Sequence, residues 1–506
     1  MRFFKFIFSR AFLTFLAILI QVALFYVVIK FFLPWFALFY LISLLIGLSC
    51  FLVIINKKEP VEYKLPWFLL LVVPLVGVFM FILYYSPKLT RKESRFLSSL
   101  FEEGKKFLSE DDIKNVKNVD LSNYHGVSEY LKRVNQTSGF SNGNTEFFKT
   151  GKEYLDNLKQ TLKCAKKYVF MQFFIIRPGV MWDEIFSILS QKVSEGVEVR
   201  VMLDYVGSFG LPYRFCKKLN KMGISCVKFN KLGLKVSSRY NNRDHRKIVV
   251  IDGEIAYTGG INISDEYINV KSRFGVWKDT AVKITGESAK IFAFNFLLLN
   301  DVGRKSKSDY KKYLDFNAKS DTNCGFIQPF ADGPKPFYSE HVAETNFHNL
   351  ISSARKKIYI TTPYLITDYS MLSALKNASL RGIDVRIITP HIPDKKLIFA
   401  LTRSNYKFLM DAGVKIYEYT PGFIHSKQML IDGETAFVGT VNLDYRSMVH
   451  HFECGVNLYK TNCIKDIESD FNELFNVSQI AEIPRQSKWF FSKLIMAILN
   501  VFSPML

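Results

Sequence analysis

Cysteine is scarce in this chain of 506 residues, and so are glycine and proline. The cysteines are odd in number and scattered, and no two stand in a C-x-x-C spacing: Cys50, Cys164, Cys216, Cys226, Cys324, Cys454 and Cys463. This pattern excludes a small protein built on a disulfide framework, and it disfavours a zinc site. The 27 glycines and 16 prolines are too few for a collagen-like repeat.

Charged residues are few as well, and acidic ones are fewer than basic ones. Only 22% of the residues are charged, whereas 49% are apolar, including 47 Phe and 25 Tyr. This composition excludes an intrinsically disordered chain. Lys and Arg outnumber Asp and Glu by 67 to 46, which gives a net charge of +21 at pH 7. Such a basic protein is expected to bind a polyanion, either nucleic acid, anionic lipid headgroups or both.

The hydrophobicity is concentrated near the N-terminus. Residues 1–85 contain three stretches without a charged residue, and these predict membrane spans at about 11–29, 33–55 and 65–85. Each stretch is long enough to cross about 30 Å of hydrocarbon. A cleaved signal peptide is a poor alternative for the first stretch, because no small-residue cleavage site follows it. Buried helices of a soluble protein are the other alternative, and three of them so close together would be exceptional.

The polar segment that follows, residues 86–148, is rich in Ser and Asn and predicts a tether between the membrane and a soluble region. Beyond it the chain repeats itself. The segment Gly196–Met202 resembles Gly382–Ile388, and Gly223–Phe229 resembles Gly413–Tyr419. Two copies of one domain are therefore predicted, at residues 149–320 and 321–483.

In each copy, short runs of β-branched and aromatic residues alternate with helical patterns, which indicates an α/β fold with a mainly parallel or mixed sheet. Two tandem domains of this kind are expected to form a pseudo-two-fold pair with a composite site where they meet. The final residues, 484–506, predict an amphipathic helix that lies in the membrane interface. A terminal helix that docks on the protein core is an equal alternative.

One pattern occurs once in each copy and carries the chemistry. It reads H-x-K-x₄-D-G-x₅-G-x₂-N and contributes His245, Lys247, Asp252 and Asn262 from the first copy, and His425, Lys427, Asp432 and Asn442 from the second. On a strand, His and Lys two positions apart share a face, and the Asp-Gly pair is typical of a hairpin turn. Two solvent-facing hairpins that match by chance are the alternative, and the full correspondence of the pattern argues against it.

This set of residues suits displacement at a phosphodiester. A neutral imidazole can attack phosphorus and form a phosphohistidine, which divides one difficult displacement into two easier ones. Lysine and asparagine donors stabilise the negative charge that grows on the phosphate oxygens, so that the chemistry requires no metal. A second, protonated imidazole can give its proton to the departing alkoxide and later take one from the incoming alcohol.

Carboxylates are expected beside the imidazoles, because an acid next to a histidine fixes its tautomer. Asp279 and Glu453 occupy equivalent places in the two copies and are the candidates for this orienting role, although either can instead be structural. Asp252 and Asp432 fall in the hairpin turns, where a structural role is favoured over proton transfer. His451 stands beside Glu453, and a plain strand position is favoured for it over a place at the mouth of the site.

The duplicated H-x-K-x₄-D motif resembles the signature of the phospholipase D superfamily, and the chain is most similar there to bacterial cardiolipin synthases. Further likeness lies at residues 259–267, at Thr362-Pro-Tyr364, at residues 439–447 and at the C-terminus, 502–506. Spans two and three resemble the N-terminal hairpin of that family. The first span, at 11–29, departs from the family pattern and leaves the sidedness of the site open.

The resemblance implies a phosphatidyltransferase that moves a phosphatidyl group from one phosphatidylglycerol to another, giving cardiolipin and glycerol. It implies catalytic roles for both H-x-K-x₄-D motifs, with His245 as the nucleophile and His425 as the acid and base, and substrate binding by Asn262 and Asn442. Phosphatidylglycerol and an anionic bilayer are the implied partners, and a bacterial cell membrane, crossed several times, is the implied location. No cofactor, no metal and no nucleic acid are expected, and the oligomeric state stays open.

Three other functions remain as alternatives. A hydrolytic phospholipase D, or a transferase with another acceptor alcohol, would use the same residues. A nuclease suits the positive charge, but three membrane spans would bring the site to lipid rather than to nucleic acid. An inactive scaffold that binds anionic membranes is disfavoured because both motifs are intact.

Overall fold

The computed structural model describes residues 10–31, 33–85, 91–108, 120–135, 138–141, 143–230, 242–316, 325–334, 338, 340–482 and 490–505. These residues divide into two compact units. The first unit comprises the described residues of 1–88 and of 491–506, and the second comprises those of 89–233 and 240–490. The boundary predicted between the two repeats, at residue 320, lies outside the described residues.

The first unit is helical. Its helices are α1 (Arg10–Phe31), α2 (Leu33–Asn56), α3 (Val61–Leu71), α4 (Pro74–Tyr84) and, from the C-terminal end of the chain, α17 (Phe490–Phe502) followed by a 3₁₀ turn (Ser503–Met505). Trp67 on α3 packs edge-to-face against Phe81 on α4, with ring centroids 6.0 Å apart. Of the predicted C-terminal helix, residues 490–502 are helical, and its first predicted residues, 484–489, lie outside the described part.

Within the described chain, one helix has the length and apolar composition needed to cross a membrane: Leu38–Asn56, within α2. Shorter apolar stretches occur at Phe15–Lys30 and Leu494–Met505. The third predicted span, at 65–85, is divided between α3 and α4, because proline at position 74 lacks a backbone N–H and favours the first turn of a new helix. The sequence predicts several membrane spans. The helices are consistent with one span and do not establish the others.

The second unit begins with residues that the sequence assigns to a tether. They form α5 (Arg91–Lys105), a 3₁₀ turn (Ser122–Tyr124) and α6 (His125–Asn135). Leu100 of α5 is fully buried in the core that also contains Phe292, and Leu131 of α6 is buried with Phe330. The described part of this segment is thus packed against both repeats, because its apolar side chains recur at helical spacing.

The first repeat contains a seven-stranded mixed sheet in the order β1-β8-β6-β5-β2-β3-β4. Its strands are β1 (Thr145–Phe148), β2 (Tyr168–Phe173), β3 (Glu198–Asp204), β4 (Ile224–Phe229), β5 (Ile248–Ile251), β6 (Ile255–Gly259) and β8 (Ala281–Thr285), and β7 (Val276–Lys278) lies outside this sheet. β2, β3 and β4 are parallel, whereas β5, β6 and β8 continue the sheet in antiparallel pairs.

The second repeat contains an eight-stranded sheet in the order β19-β13-β12-β10-β15-β16-β18-β9. Its strands are β9 (Phe326–Asp332), β10 (Lys357–Thr361), β12 (Asp384–Pro390), β13 (Lys415–Tyr419), β15 (Gln428–Ile431), β16 (Thr435–Gly439), β18 (Glu453–Tyr459) and β19 (Ser478–Ile480). Three short strands lie apart from it: β11 (Leu365–Ile366), β14 (Gly422–Ile424) and β17 (Leu443–Asp444). The central order β12-β10-β15-β16-β18 repeats β3-β2-β5-β6-β8 of the first sheet, so the duplicated α/β fold predicted from sequence is confirmed.

Helices cover the sheets. They are α7 (Gly151–Lys163), α8 (Val180–Ser194), α9 (Phe215–Lys221), α10 (Ser288–Arg304), α11 (Tyr310–Leu314), α12 (Val342–Ser353), α13 (Tyr369–Leu380), α14 (Lys396–Ser404), α15 (Tyr406–Met410) and α16 (Ile464–Asn476), and one π-helical turn spans Arg446–His450. Residues 288–301 of α10 are all buried, and its apolar side chains join a core to which both sheets contribute. A helix of a soluble unit that is apolar on most of its surface is expected at the centre of such a core.

A disulfide joins Cys216 to Cys226, whose Cα atoms are 5.0 Å apart. The sequence does not suggest this pair, because the two residues are ten apart and resemble none of the usual cysteine spacings. They meet because α9 and β4 fold back on each other, and the bond lies at the edge of the first sheet rather than at the candidate site.

Candidate active site

The two H-x-K motifs stand at the beginning of matching β-hairpins. In the first copy β5 pairs with β6, and in the second copy β15 pairs with β16. The turns are Asp252-Gly253 and Asp432-Gly433, and all four residues have φ between 55° and 75°. Asp and Gly tolerate this left-handed backbone, which a β-branched residue would resist. The hairpins predicted from the motif are thus confirmed.

The carboxylates of these turns bind backbone rather than the histidines. Asp252 accepts hydrogen bonds from three successive amides, at residues 166–168, over 2.7–2.8 Å. Asp432 accepts from the equivalent amides at residues 355–357, over 2.7–2.9 Å. The length of β5 or β15 separates each carboxylate from the histidine of its own motif. Both carboxylates thus bind the backbone at the entry of β2 and β10 into the sheets, and these contacts agree with the structural role that the sequence favours for them.

Main-chain hydrogen bonds cross between the copies beside each histidine. The amide of His245 donates to the carbonyl of Phe452 at 2.9 Å, and the amide of His425 donates to the carbonyl of Lys278 at 2.7 Å. The latter bond continues a parallel pair between β14 of the second copy and β7 of the first. Phe452 and Lys278 each come directly before the carboxylate residue predicted in their copy. Each histidine is therefore held against the carboxylate of the other copy.

The side chains follow the same crossed pattern. His245 Nδ1 lies 2.9 Å from Glu453 Oε1, and His425 Nδ1 lies 2.7 Å from Asp279 Oδ2. Both carboxylate residues are 0% exposed. A carboxylate beside Nδ1 keeps the proton on that nitrogen, which leaves the Nε2 lone pair of a neutral imidazole available for chemistry. The sequence identifies both carboxylates, but not that they are exchanged between the copies.

The lysines of the motifs are buried next to the histidines. Lys247 Nζ donates to the carbonyl of His245 at 2.5 Å, and Lys427 Nζ makes the same contact with the carbonyl of His425. Lys247 is 2% exposed and Lys427 1%. An ammonium group has three donors, so one backbone contact leaves each lysine with donors for a phosphate oxygen.

The histidines titrate below their usual range. Burial and the charge of Lys427 together lower the pKa of His425 to about 4, against the opposing charge of Asp279. Burial also holds the pKa of His245 well below its usual value, and the charges of Lys247, Lys427 and His425 add to this effect. Because each imidazole responds to charges from the other copy, the two motifs share one buried electrostatic environment.

The lysines titrate low for the same reason. Burial lowers the pKa of Lys247 to about 8 and that of Lys427 to about 7, although Glu453 and Asp279 oppose the shift. For Asp279, burial raises the pKa, but His425 and Lys427 outweigh it and hold the pKa below its usual value. A buried cluster of cationic groups with lowered pKa values favours an anion as its ligand, since an anion restores the charged forms.

The two motif asparagines differ. Asn262 uses both ends of its amide: Oδ1 accepts from the amide of Ile175 at 3.0 Å, and Nδ2 donates to the hydroxyl of Tyr267 at 2.6 Å. Asn442 donates from Nδ2 to Asp444 at 2.8 Å, but its buried Oδ1 has no hydrogen-bond partner among the described residues. The sequence predicts equal roles for the two, and the structure shows one occupied amide and one with an open acceptor.

Two further rings lie beside the histidines: His451, for which the sequence favours a plain strand position, and Trp277, which the sequence does not single out. The ring of His451 lies 5.5 Å from that of His245, and the ring of Trp277 lies 5.4 Å from that of His425. His451 and Trp277 occupy the same place in the two copies, two residues before the carboxylate. An alignment of the two repeat sequences on Glu453 and Asp279, rather than on the H-x-K motifs, would have revealed this match.

One group of side chains in the described part could hold a metal ion by geometry: His245, His451 and Glu453, whose ligand atoms all lie within 4.8 Å of one another. Glu453 is already engaged, since it pairs with His245 and accepts a hydrogen bond from Thr440. Two lysines of the same site repel a cation. The residues therefore fit an anionic phosphate better than a metal ion.

The chain is similar to known proteins over most of its length. The family described as "Cardiolipin synthase, PLD-like domain" matches residues 158–293 and 347–475. A cardiolipin synthase of Halalkalibacterium halodurans is 35% identical over 473 residues, which cover 91% of this chain and 92% of that protein. A cardiolipin synthase of Staphylococcus aureus is 32% identical over 475 residues, covering 91% of this chain and 94% of that protein.

Among solved structures, the phosphatidylserine synthase of Haemophilus influenzae matches with a TM-score of 0.58. It covers 75% of this chain and 97% of its own chain, at 15% sequence identity. At that identity the match concerns the fold alone, and it agrees with the paired α/β repeats described above.

Proposed function

Because the chain belongs to the family of cardiolipin synthases with phospholipase D-like domains, we propose that it transfers a phosphatidyl group from one phosphatidylglycerol to another, giving cardiolipin and glycerol. The observation that carries the proposal is the crossed pairing of His245 with Glu453 and of His425 with Asp279. It provides two imidazoles of defined tautomer in one site that attracts anions.

In the first step, Nε2 of His245 attacks the phosphorus of phosphatidylglycerol. The new P–N bond forms as the P–O bond to the headgroup glycerol breaks, and His425 gives its proton to the departing alkoxide. His425 needs that proton beforehand. The phosphodiester anion favours this protonation, because negative charge next to the imidazole raises the pKa of His425, which burial and Lys427 lower to about 4.

In the second step, a hydroxyl of another phosphatidylglycerol headgroup attacks the phosphohistidine. His425, now neutral, takes the hydroxyl proton, the P–N bond breaks, and cardiolipin leaves with its second phosphodiester intact. Lys247 and Lys427 stabilise the charge on the phosphate oxygens in both steps. Exclusion of water from the buried site favours the alcohol over hydrolysis.

The first unit and the positive charge serve this chemistry. α2 is long and apolar enough to anchor the chain in a bacterial cell membrane, and a shorter apolar stretch, Phe15–Lys30, lies within α1. We propose that α1, α3 and α4 add further membrane segments to this anchor. A net charge of +21 favours binding to an anionic bilayer. In such a bilayer, phosphatidylglycerol provides the negative charge and is also the substrate. Membrane anchoring turns the encounter with this insoluble substrate into a search in two dimensions.

The test uses the full-length protein in vesicles of phosphatidylglycerol alone, without nucleotide. We expect cardiolipin and glycerol in equal amounts, measured by mass spectrometry, and the same rate in the presence of EDTA. Phosphatidic acid as the main product would identify a hydrolase instead. A requirement for a cytidine-activated lipid, or loss of activity on chelation, would contradict the proposed chemistry.

A further inference from the structure

The segments that follow the central strands of the two repeats differ. In the first copy Phe174 directly follows β2, and its ring packs edge-to-face on His245 at 5.2 Å. In the second copy Tyr364 lies three positions beyond β10. The strand register matches Val169–Gln172 to Ile358–Thr361, so Tyr364 takes the place of Ile175. A position that is aliphatic in the first copy thus carries a hydroxyl in the half that contributes His425.

The hydroxyl of Tyr364 is held by a specific partner. It donates to Asp394 Oδ2 at 2.7 Å. Burial raises the pKa of Tyr364 well above its usual value, and the charges of Asp394, Asp444 and Tyr267 add to the rise. The ring of Tyr267 lies 5.6 Å from that of His425. The Tyr364–Asp394 pair therefore lies within electrostatic reach of the side chains that surround His425.

Strand register brings Asn442 to the same place. Leu365 of β11 is paired with Leu443 of β17 in a parallel ladder. Tyr364 directly precedes Leu365, and Asn442 directly precedes Leu443, so the two residues lie at neighbouring positions of the paired strands. The hydroxyl of Thr362 accepts from the amide of Leu443 at 3.1 Å and donates to the carbonyl of Tyr364 at 2.8 Å. These bonds tie the two segments together beside the second motif.

Two acceptors at this place have no donor among the described residues: Asp394 Oδ1 and Asn442 Oδ1. Both atoms are buried, and Asn442 as a residue is only 5% exposed. Buried acceptors in native proteins are almost always hydrogen-bonded, so these two point to a ligand that brings donors. In the matching Asn262 of the first copy, both the oxygen and the nitrogen of the side-chain amide are hydrogen-bonded, so this residue offers no unpaired acceptor to a ligand.

The geometry points to an alcohol subsite formed by Tyr364, Asp394 and Asn442, which binds the hydroxyl groups of the glycerol headgroup beside His425. This inference rests on the proposed function. Phosphate oxygens are only acceptors and cannot satisfy a carboxylate or an amide oxygen, whereas hydroxyl groups can. The same subsite holds the departing glycerol in the first step and the attacking headgroup in the second, since both exchange their proton with His425.

A neutral polyol fits this subsite better than an amino alcohol does. Lys395 Nζ lies 3.8 Å from Asp394 Oδ2, so one ammonium group already compensates the carboxylate. A second ammonium, from ethanolamine, would compete with Lys395 and would face the positive charge of Lys427. Hydroxyl groups bind to the open acceptors without that conflict.

The test is a competition between acceptors. The full-length protein in phosphatidylglycerol vesicles receives deuterated glycerol and ethanol at equal concentration, and mass spectrometry gives the ratio of deuterated phosphatidylglycerol to phosphatidylethanol. We expect the wild type to prefer glycerol, and Tyr364→Phe and Asp394→Asn each to lower the ratio about tenfold, because ethanol lacks the hydroxyls that the subsite binds. The ratio does not depend on how much of a variant is folded, because both products come from the same enzyme molecules.

Tyr359→Phe is the matched control, since Tyr359 also has an aspartate partner, Asp384, on the same sheet at 3.4 Å, and we expect it to leave the ratio unchanged. A wild type that forms neither cardiolipin nor either exchange product would refute the proposed function. If the wild type forms cardiolipin, but Tyr364→Phe and Asp394→Asn give the same product ratio as the wild type, the subsite alone is refuted. Preference of the wild type for ethanolamine over glycerol in a third arm would overturn the polyol assignment.

Discussion

The surroundings of His245 and His425 show how far a duplicated domain can diverge around a shared reaction. Both imidazoles have a carboxylate from the other copy and a lysine from their own motif. Next to His245, however, lie Phe174 and a second imidazole, His451, both without a hydroxyl group. Next to His425 lie tyrosine and tryptophan rings, Tyr267 and Trp277, with the polar group of Tyr364 and Asp394 nearby.

This difference separates two roles that symmetry alone would leave interchangeable. The half with open hydrogen-bond acceptors suits an alcohol, which must exchange its proton with the imidazole beside it. On the other side, the ring of Phe174 covers His245 with an apolar contact, and His451 adds a second buried imidazole whose two nitrogens have no hydrogen-bond partner among the described residues. We therefore propose proton transfer for His425 and nucleophilic attack for His245, the roles that the family resemblance implies.

The largest expected effect comes from replacing either histidine. His245→Asn and His425→Asn should each lower the rate of cardiolipin formation by about 10⁴-fold or more, because residues that act as one unit fail together. Initial rates in phosphatidylglycerol vesicles measure this. His348→Asn, a histidine of α12 bonded to Ser370, serves as the control and should stay near the wild-type rate. A near-normal rate in either active-site variant would contradict the claim that His245 and His425 act together in one site.

The crossed carboxylates should come next. Glu453→Gln and Asp279→Asn keep the shape of the side chain but no longer favour the proton on Nδ1, and each should lower kcat about a hundredfold with little change in KM. Equal losses in the two variants would show that the copies orient their histidines in the same way. If KM rose while kcat was unchanged, these residues would be substrate contacts rather than positioning residues.

The lowered pKa values predict proton uptake when an anion binds. Burial lowers the pKa of Lys427 to about 7, so at pH 8 the lysine is largely neutral, and an anion that raises this pKa brings a proton with it. Calorimetric titration with diethyl phosphate at pH 8, in two buffers of different ionisation enthalpy, should show uptake of at least about one proton, to which His425 and Lys247 also contribute. Lys427→Met should lower the uptake, and proton release would contradict the assignment of charge.

The smallest effect on chemistry is expected at the hairpin turns. Asp252→Asn and Asp432→Asn weaken three charge-assisted contacts to backbone amides, and each should lower the free energy of unfolding by about 2 kcal/mol. The rate per folded molecule should change less than about twofold, in contrast to Asp279→Asn. Thermal unfolding alongside activity measures both quantities. A large loss of rate at unchanged stability would make these carboxylates part of the chemistry after all.

Much of this arrangement could be predicted from the sequence, because it is local. The hairpins follow from an apolar run that ends in Asp-Gly, and the duplication follows from matching motifs. The exchange of Glu453 and Asp279 between the copies could not be predicted. It depends on β14 pairing with β7, a contact between segments far apart in the chain that leaves no periodic signal.

In the membrane region and in residues 86–148, the average composition of a segment was not enough to predict its structure. Apolar composition predicts three membrane spans within residues 1–85, but composition does not reveal that the third stretch is divided before Pro74. The packing of α5 and α6 is equally invisible in composition, because a polar average over residues 86–148 masks apolar side chains at helical spacing, such as Leu100 and Leu131. Both features depend on where individual residues lie along a helix rather than on the content of a window.

The division of labour between the two halves can be tested by trapping the intermediate. The His425→Asn variant keeps the proposed nucleophile but lacks the group that protonates the departing alkoxide and activates the second alcohol. It is therefore given phosphatidyl-p-nitrophenol, whose leaving group departs without a proton, and quenching in base, where a phosphohistidine is stable, should leave a phosphatidyl adduct. Peptide mapping by mass spectrometry should locate it on His245, and the His245→Asn variant should give none. An adduct on His425, or one that survives loss of His245, would contradict the account.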